Sequence, residues 1–143
     1  MGKFADAQQV YDVIGGLMQE AAKDPTMGPK IRASGITIQF RYTDPESAIT
    51  VDAKTPPPEG QYFQLYFGFE PPVPPSIAMD MTADIAHLFW LGKVNLTAAL
   101  TRGQMKIKGP LQQVMKLLPA ITPAYKMYPE FLKSKGLDHL IPA

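Results

Sequence analysis

Ile36-Thr37-Ile38-Gln39-Phe40-Arg41-Tyr42-Thr43, the turn Asp44-Pro45-Glu46, and then Ile49-Thr50-Val51-Asp52-Ala53-Lys54 form the stretch from which the fold is read. Apolar and polar residues alternate on both sides of the turn, the period of a strand with one face on a core. The spacing predicts a hairpin. Beyond the proline loop Pro56–Gly60, Phe63, Leu65 and Phe67 alternate with Tyr62, Gln64 and Tyr66. A second loop, Pro71-Pro72-Val73-Pro74-Pro75, precedes Ile77, Met79 and Met81, and later Met105 and Ile107 alternate with Gln104, Lys106 and Lys108. Five strands that each carry one apolar and one more polar face predict a sheet wet on one side. An all-parallel doubly wound sheet would read as continuous apolar runs instead. The short connections let the first three strands meander.

Helices must cover the apolar face. Residues 4–22 carry Val10, Val13, Ile14, Leu17 and Ala21 at helical spacing, with Asp24-Pro25 and Gly28-Pro29 as the expected end. Thr82 is expected to cap a helix with Ile85, Leu88 and Phe89 inward. Asn95 is expected to cap a shorter one with Leu96 and Ala99 inward. Pro110 suits a helix start, and Leu111, Val114, Met115 and Leu118 form the next stripe. Pro119, Pro123 and Pro129 are expected to break the tail, 119–143, into short pieces. The fold class is α+β, one sheet and one helical layer, in a single domain over 1–143.

Composition narrows the function. With 143 residues and no cysteine, thiol catalysis, zinc ribbons, iron–sulfur sites and disulfide scaffolds are excluded. A net charge of +1 does not favour nucleic acid, and none is expected as a partner. The N-terminal residues lack an apolar signal core, no stretch is long and apolar enough to span a bilayer, and Leu140-Ile141-Pro142-Ala143 is no retention or peroxisomal signal. A soluble cytoplasmic protein is expected. There are two histidines, His87 and His139, no metal-ligand spacing, no glycine-rich phosphate loop, and no serine in a nucleophile elbow. His87, half a turn off the inward stripe, is expected in solvent. Asp80 and Asp84 are accounted for by helix-start electrostatics. No cofactor, no metal and no enzymatic activity are expected.

The apolar inventory is rich by contrast. Among eight methionines, Met79, Met81, Met105 and Met115 fall on expected inward positions. Methionine adapts its shape, so it suits a lining that accommodates different partners. The candidate ligand-contacting set is Phe40, Phe63, Leu65, Phe67, Met79, Leu88, Phe89, Met105, Met115 and Leu118. An ordinary packed core would use the same residue types, and periodicity shows which side chains face inward, not whether a space lies between them. Charge divides along the chain: residues 1–71 hold six bases and nine acids, residues 72–143 eight and four. Trp90, outside the Ile85/Leu88/Phe89 stripe, together with Lys106 and Lys108, forms a candidate contact with an anionic membrane surface.

Residues 76–118 carry Met79-Asp80-Met81-Thr82-Ala83-Asp84, then Gly92-Lys93-Val94-Asn95 with Ala98-Ala99, and Gly103-Gln104-Met105-Lys106-Ile107-Lys108-Gly109 with Met115-Lys116-Leu117. In order and spacing these resemble the sterol carrier protein type-two family of lipid-binding domains, and the leading helix and meander extend the likeness to about 4–118. The resemblance implies a mainly antiparallel five-stranded sheet, helices over one face and an apolar tunnel between the layers. It also implies non-covalent binding of fatty acids, fatty acyl-CoA, sterols or phospholipids. The chain departs from the family at Pro110, where an acidic residue commonly follows the glycine, and in its proline-broken aromatic tail. The expected function is non-enzymatic binding and transfer of an apolar ligand. The alternative is an accessory or dimerisation module that docks on a partner enzyme of lipid metabolism. An enzyme acting through Asp80 or His87 ranks third.

Overall fold

The hairpin forms where the alternation puts it, and the remaining elements assemble around it. The structure, a computed structural model, describes residues 2–142; Met1 and Ala143, the outermost residues of the terminal stretches read for signals, lie outside the described residues. In chain order the elements are α1 (Ala7–Lys23), α2 (Met27–Ser34), β1 (Thr37–Thr43), β2 (Ser47–Asp52), β3 (Gln64–Phe67) and β4 (Ile77–Thr82). They continue with α3 (Ala83–Trp90), α4 (Leu96–Thr101), β5 (Met105–Lys108), α5 (Leu111–Ile121), α6 (Ala124–Ser134) and a short 3-10 turn at Asp138–Leu140.

The five strands lie in the order β3-β2-β1-β4-β5. β1, β2 and β3 form the expected antiparallel meander, with Phe40 opposite Ile49 and Val51 opposite Leu65. β4 runs parallel to β1, setting Met79 beside Phe40, and β5 closes that side antiparallel, with Met105 opposite Met81. Because side chains alternate across a strand, Ile38, Phe40, Tyr42, Met79, Met81 and Met105 all meet the helical layer.

The other sheet face is not simply wet. Thr37, Gln39, Thr50 and Asp52 point away from the helices yet are buried. To travel from edge strand β3 to β4, the chain must pass back over β2 and β1, and the proline-rich segment 68–76 does so on this outer face. Gln39 Nε2 donates to the Phe69 carbonyl at 3.3 Å, and Ser76 Oγ donates to the Thr37 carbonyl at 3.1 Å. The prolines therefore stiffen a strap that no strand period announces. Asp52 accepts from the Lys54 and Thr55 amides and from the Thr37 and Thr55 hydroxyls, closing the turn after β2.

α1 carries its expected stripe, and its two central glycines admit aromatic rings. A Cβ at Gly15 would stand 2.8 Å from Phe67, and one at Gly16 would stand 2.5 Å from Phe131. α2 was not expected. Pro29 sits in its first turn, where a missing N–H costs nothing, and the Asp24 carboxylate accepts from the Met27 amide at 2.6 Å. The tail also differs from expectation: α5 runs through Pro119 and α6 through Pro129. Burial of Ile121 beyond Pro119 and of Leu132 beyond Pro129 holds both helices past the lost backbone bond. Thr82 and Asn95 cap α3 and α4 as expected, accepting from the amides of Ile85 and Ala98.

Candidate functional site

Two apolar voids lie between the inner sheet face and the helices. The first, about 50 Å3, is lined by Leu17, Met18 and Ala21 of α1, Met27 and Ile31 of α2, the strand residues Ile38, Phe40 and Val51, then Phe63, Trp90, Leu117, Ile121 and Ala124. The second, about 40 Å3, is lined by Ile38, Phe40, Met79, Met81, Phe89, Trp90, Leu96, Met105, Val114, Leu117, Leu118 and Ile121. Apart from the Trp90 indole N–H, every lining side chain is hydrocarbon or thioether. Ile38, Phe40, Trp90, Leu117 and Ile121 belong to both linings, and the Phe40 and Trp90 rings meet edge to face at 6.2 Å between centroids. Each void is smaller than the ~150 Å3 apolar cavity that accepts benzene.

A groove of about 650 Å3 opens beside the second void, lined by Phe89, Val94, Asn95, Leu96, Met115, Leu118, Pro119, Thr122 and Tyr125. Phe89, Leu96 and Leu118 line both spaces, so groove and voids follow one another through shared walls. Helix α5 forms the roof. Val114 and Ile121 are buried beneath it, Leu117 and Leu118 are half-buried, and Leu111 and Met115 are 46% and 40% exposed.

Of the residues singled out in the sequence, Phe40, Phe63, Met79, Phe89, Met105 and Leu118 line a void. Met115 lines the groove but is exposed, on the flank of α5 rather than beneath it. Leu65, Phe67 and Leu88 line neither void nor groove. Phe67 is 42% exposed on edge strand β3, stacked on Tyr11 at 5.0 Å. Trp90 is not at a membrane-facing rim: it is 7% exposed, packed against Phe40 and Phe89. Lys106 and Lys108 are exposed on the outer sheet face, with Lys106 opposite Asp80. The sequence reading missed Met27, Ile31, Leu117 and Ile121. Gly28-Pro29 reads as a helix end and hides α2, Pro119 reads as a break before Ile121, and Leu117 lies off the stripe Leu111, Val114, Met115 and Leu118.

The largest correction is His87, which is fully buried rather than solvated. Its Nε2 lies 2.7 Å from the Leu140 carbonyl and its Nδ1 lies 2.6 Å from the Tyr128 hydroxyl. A carbonyl only accepts, so Nε2 carries the proton and Nδ1 accepts from Tyr128 O–H. Phe4 meets the same ring edge to face at 5.5 Å. One imidazole thus joins the N-terminal segment, α3, α6 and the C-terminal turn. Burial lowers its pKa below the ordinary histidine value, against a raising effect from the Leu140 bond. Asp80, the other residue considered for acid–base work, faces the opposite side of the sheet and pairs with Arg41 at 3.8 Å. Among the described residues no cluster of three His, Asp or Glu side chains forms a metal site, and no helix is long and apolar enough to cross a membrane.

The sequence profile of the SCP-2 sterol transfer family matches residues 16–121. Several solved structures share the fold. Sterol carrier protein 2 from Yarrowia lipolytica, in its apo form, superposes with a TM-score of 0.61 at 16% identity, covering 83% of this chain and 91% of that one. The sterol carrier protein domain 2 of Helicoverpa armigera gives 0.58 at 16% identity, covering 88% and 95%. A UbiJ-SCP2 ubiquinone synthesis protein gives 0.54 at 14% identity, covering 80% and 89%. No curated protein sequence matches the chain.

Proposed function

The chain belongs to the SCP-2 sterol transfer family, and from that premise we propose that it binds a long apolar ligand beneath α5 and carries it through the cytoplasm without covalent chemistry. A fatty acid, fatty acyl-CoA, sterol or phospholipid fits this reading. The observation that carries it is the succession of groove, second void and first void through shared apolar walls. Burial contributes about 0.8 kcal/mol per methylene, so a long acyl chain gains on the order of 10 kcal/mol before ordering costs. The voids expand into a tunnel when the ligand displaces flexible methionine side chains. Transient contact with an anionic membrane belongs to the same reading, through Lys106 and Lys108, each well-placed base contributing about 1 kcal/mol.

Native mass spectrometry of the purified chain tests the reading. A co-purifying lipid, or one-to-one uptake of hexadecanoate, is expected. Met105→Asp puts a carboxylate where the side chain is 1% exposed and should abolish uptake or folding. A folded Met105→Asp variant with normal uptake overturns the ligand placement. The second reading, a module docked on an enzyme of lipid metabolism or on its own copy, draws on the exposed Leu111 and Met115. A stoichiometric dimer or a captured enzyme, with no lipid and no uptake, favours it.

A further inference from the structure

The two flanks of α5 differ in chemistry. Toward α3 and α4 the groove contains Phe89, Met115, Leu118 and Tyr125 and no charged side chain. Toward α2 a separate groove of about 360 Å3 has Lys30 and Ser34 on one wall, Gln113 and Lys116 on the other, and Ile36 and Leu117 among its lining. No acidic residue lines it. Among the described residues the ion pair is Arg41–Asp80, and neither lysine takes part in one. Leu117 also lines both apolar voids, so this cationic groove and the hydrocarbon interior share a half-buried side chain.

We propose that the α2–α5 groove is a head-group subsite for an anionic single-chain amphiphile. Lys30 and Lys116 take the carboxylate or phosphate oxygens, the Gln113 amide adds a neutral donor, and the chain passes Leu117 into the voids. The physical requirement is specific. An amphiphile needs a place where its charge keeps both counter-charge and water while its chain leaves water within a few bonds. The groove meets this requirement because its lysines are exposed and its floor is apolar. The opposite groove offers no counter-charge. The subsite therefore selects acids and phosphate esters over alcohols and sterols.

This inference rests on the lipid-binding reading, and the experiment separates the two. Binding of hexadecanoate, hexadecyl phosphate and hexadecanol to the full chain is measured by calorimetry, with millimolar inorganic phosphate as a competitor. Two exposed charge contacts predict that hexadecanoate and hexadecyl phosphate bind about five- to tenfold tighter than the alcohol. The double variant Lys30→Gln/Lys116→Gln should erase that difference, keep the affinity for hexadecanol, and melt within about 2 °C of the parent. Raising salt from about 50 mM to about 500 mM should shrink the preference in the parent alone. Inorganic phosphate should not compete. Equal affinity for acid and alcohol in the parent overturns the subsite and leaves the apolar cavity standing. Competition by phosphate that the double variant abolishes makes the groove a free-anion site and also overturns it. Failure to bind any of the three overturns the lipid-binding reading and the subsite with it.

Discussion

The helical layer has two ends that are built differently. At one end, α3, α6, Phe4 and the C-terminal turn converge on His87, both of whose ring nitrogens are hydrogen-bonded and whose ring is wrapped by Phe4 and Tyr128. At the other end, α5 lies over two voids, and its side of the layer is held by apolar contact. Polar bonds fix a single geometry, because leaving a buried donor or acceptor unmade costs about 1–3 kcal/mol. Apolar contacts beside a void permit several packings at similar free energy. On the proposed reading the difference says where motion belongs: the His87 corner anchors, and α5 is the part that would yield to a ligand.

Breaking the anchor should have the largest effect. His87→Ala leaves the Tyr128 hydroxyl and the Leu140 carbonyl unpaired and opens a cavity, so unfolding in urea should show a loss of about 4 kcal/mol. If the two ends are independent, the folded fraction of that variant still takes up lipid, and a loss of uptake in proportion to stability would merge them into one unit.

The same bond can be tested more gently with acid. His87 binds a proton less readily in the folded than in the unfolded chain, because burial lowers its pKa. Between that lowered value and the unfolded value of about 6.5 the unfolded chain holds more protons. Stability is therefore complete above about pH 6.5 and falls as pH drops through that window. The neighbouring charges Lys3 and Asp84 act in opposite directions on the ring, Lys3 against protonation and Asp84 for it. Melting curves of the parent and of His87→Gln should diverge at neutral pH and converge as pH falls; parallel curves would remove His87 from the acid response.

The smallest effect is expected on the yielding side. Ala124, 1% exposed, lines the first void, and Ala124→Val adds carbon to that space. Filling a void commonly stabilises by about 1 kcal/mol, and here it should also weaken hexadecanoate binding. A variant that gains stability without losing affinity would mean that the ligand does not use the first void.

Much of this was legible before any tertiary contact was known. The inner row Phe40, Met79 and Met105 followed from a period of two, and Thr82 and Asn95 announced themselves as caps by residue type and position. The misses have physical causes. Gly28-Pro29 reads as a break, but in the first turn of α2 a missing N–H has no partner to lose. Pro119 and Pro129 read as helix ends, but apolar burial on their far sides carries the helices through. His87 and Trp90 fall outside a single stripe because α3 is covered both by the sheet and by α6, so two of its faces are buried. The burial of Thr37, Gln39 and Thr50 depends on where a loop crosses, and a strand period is silent about loops.

The amino-acid sequence alone determined the strands, which of their faces are apolar, the caps, and the absence of thiol chemistry. Each of these depends on neighbours within a few residues or on residue type. Only the tertiary structure decided that β4 lies parallel beside β1, that His87 ties both chain ends, and that voids lie beneath α5. A void is the space left after several elements have packed, so no local pattern encodes it. The meeting of Lys30 and Lys116 across one groove is of the same kind: they are distant in the chain, and their nearness exists only once α2 and α5 lie side by side.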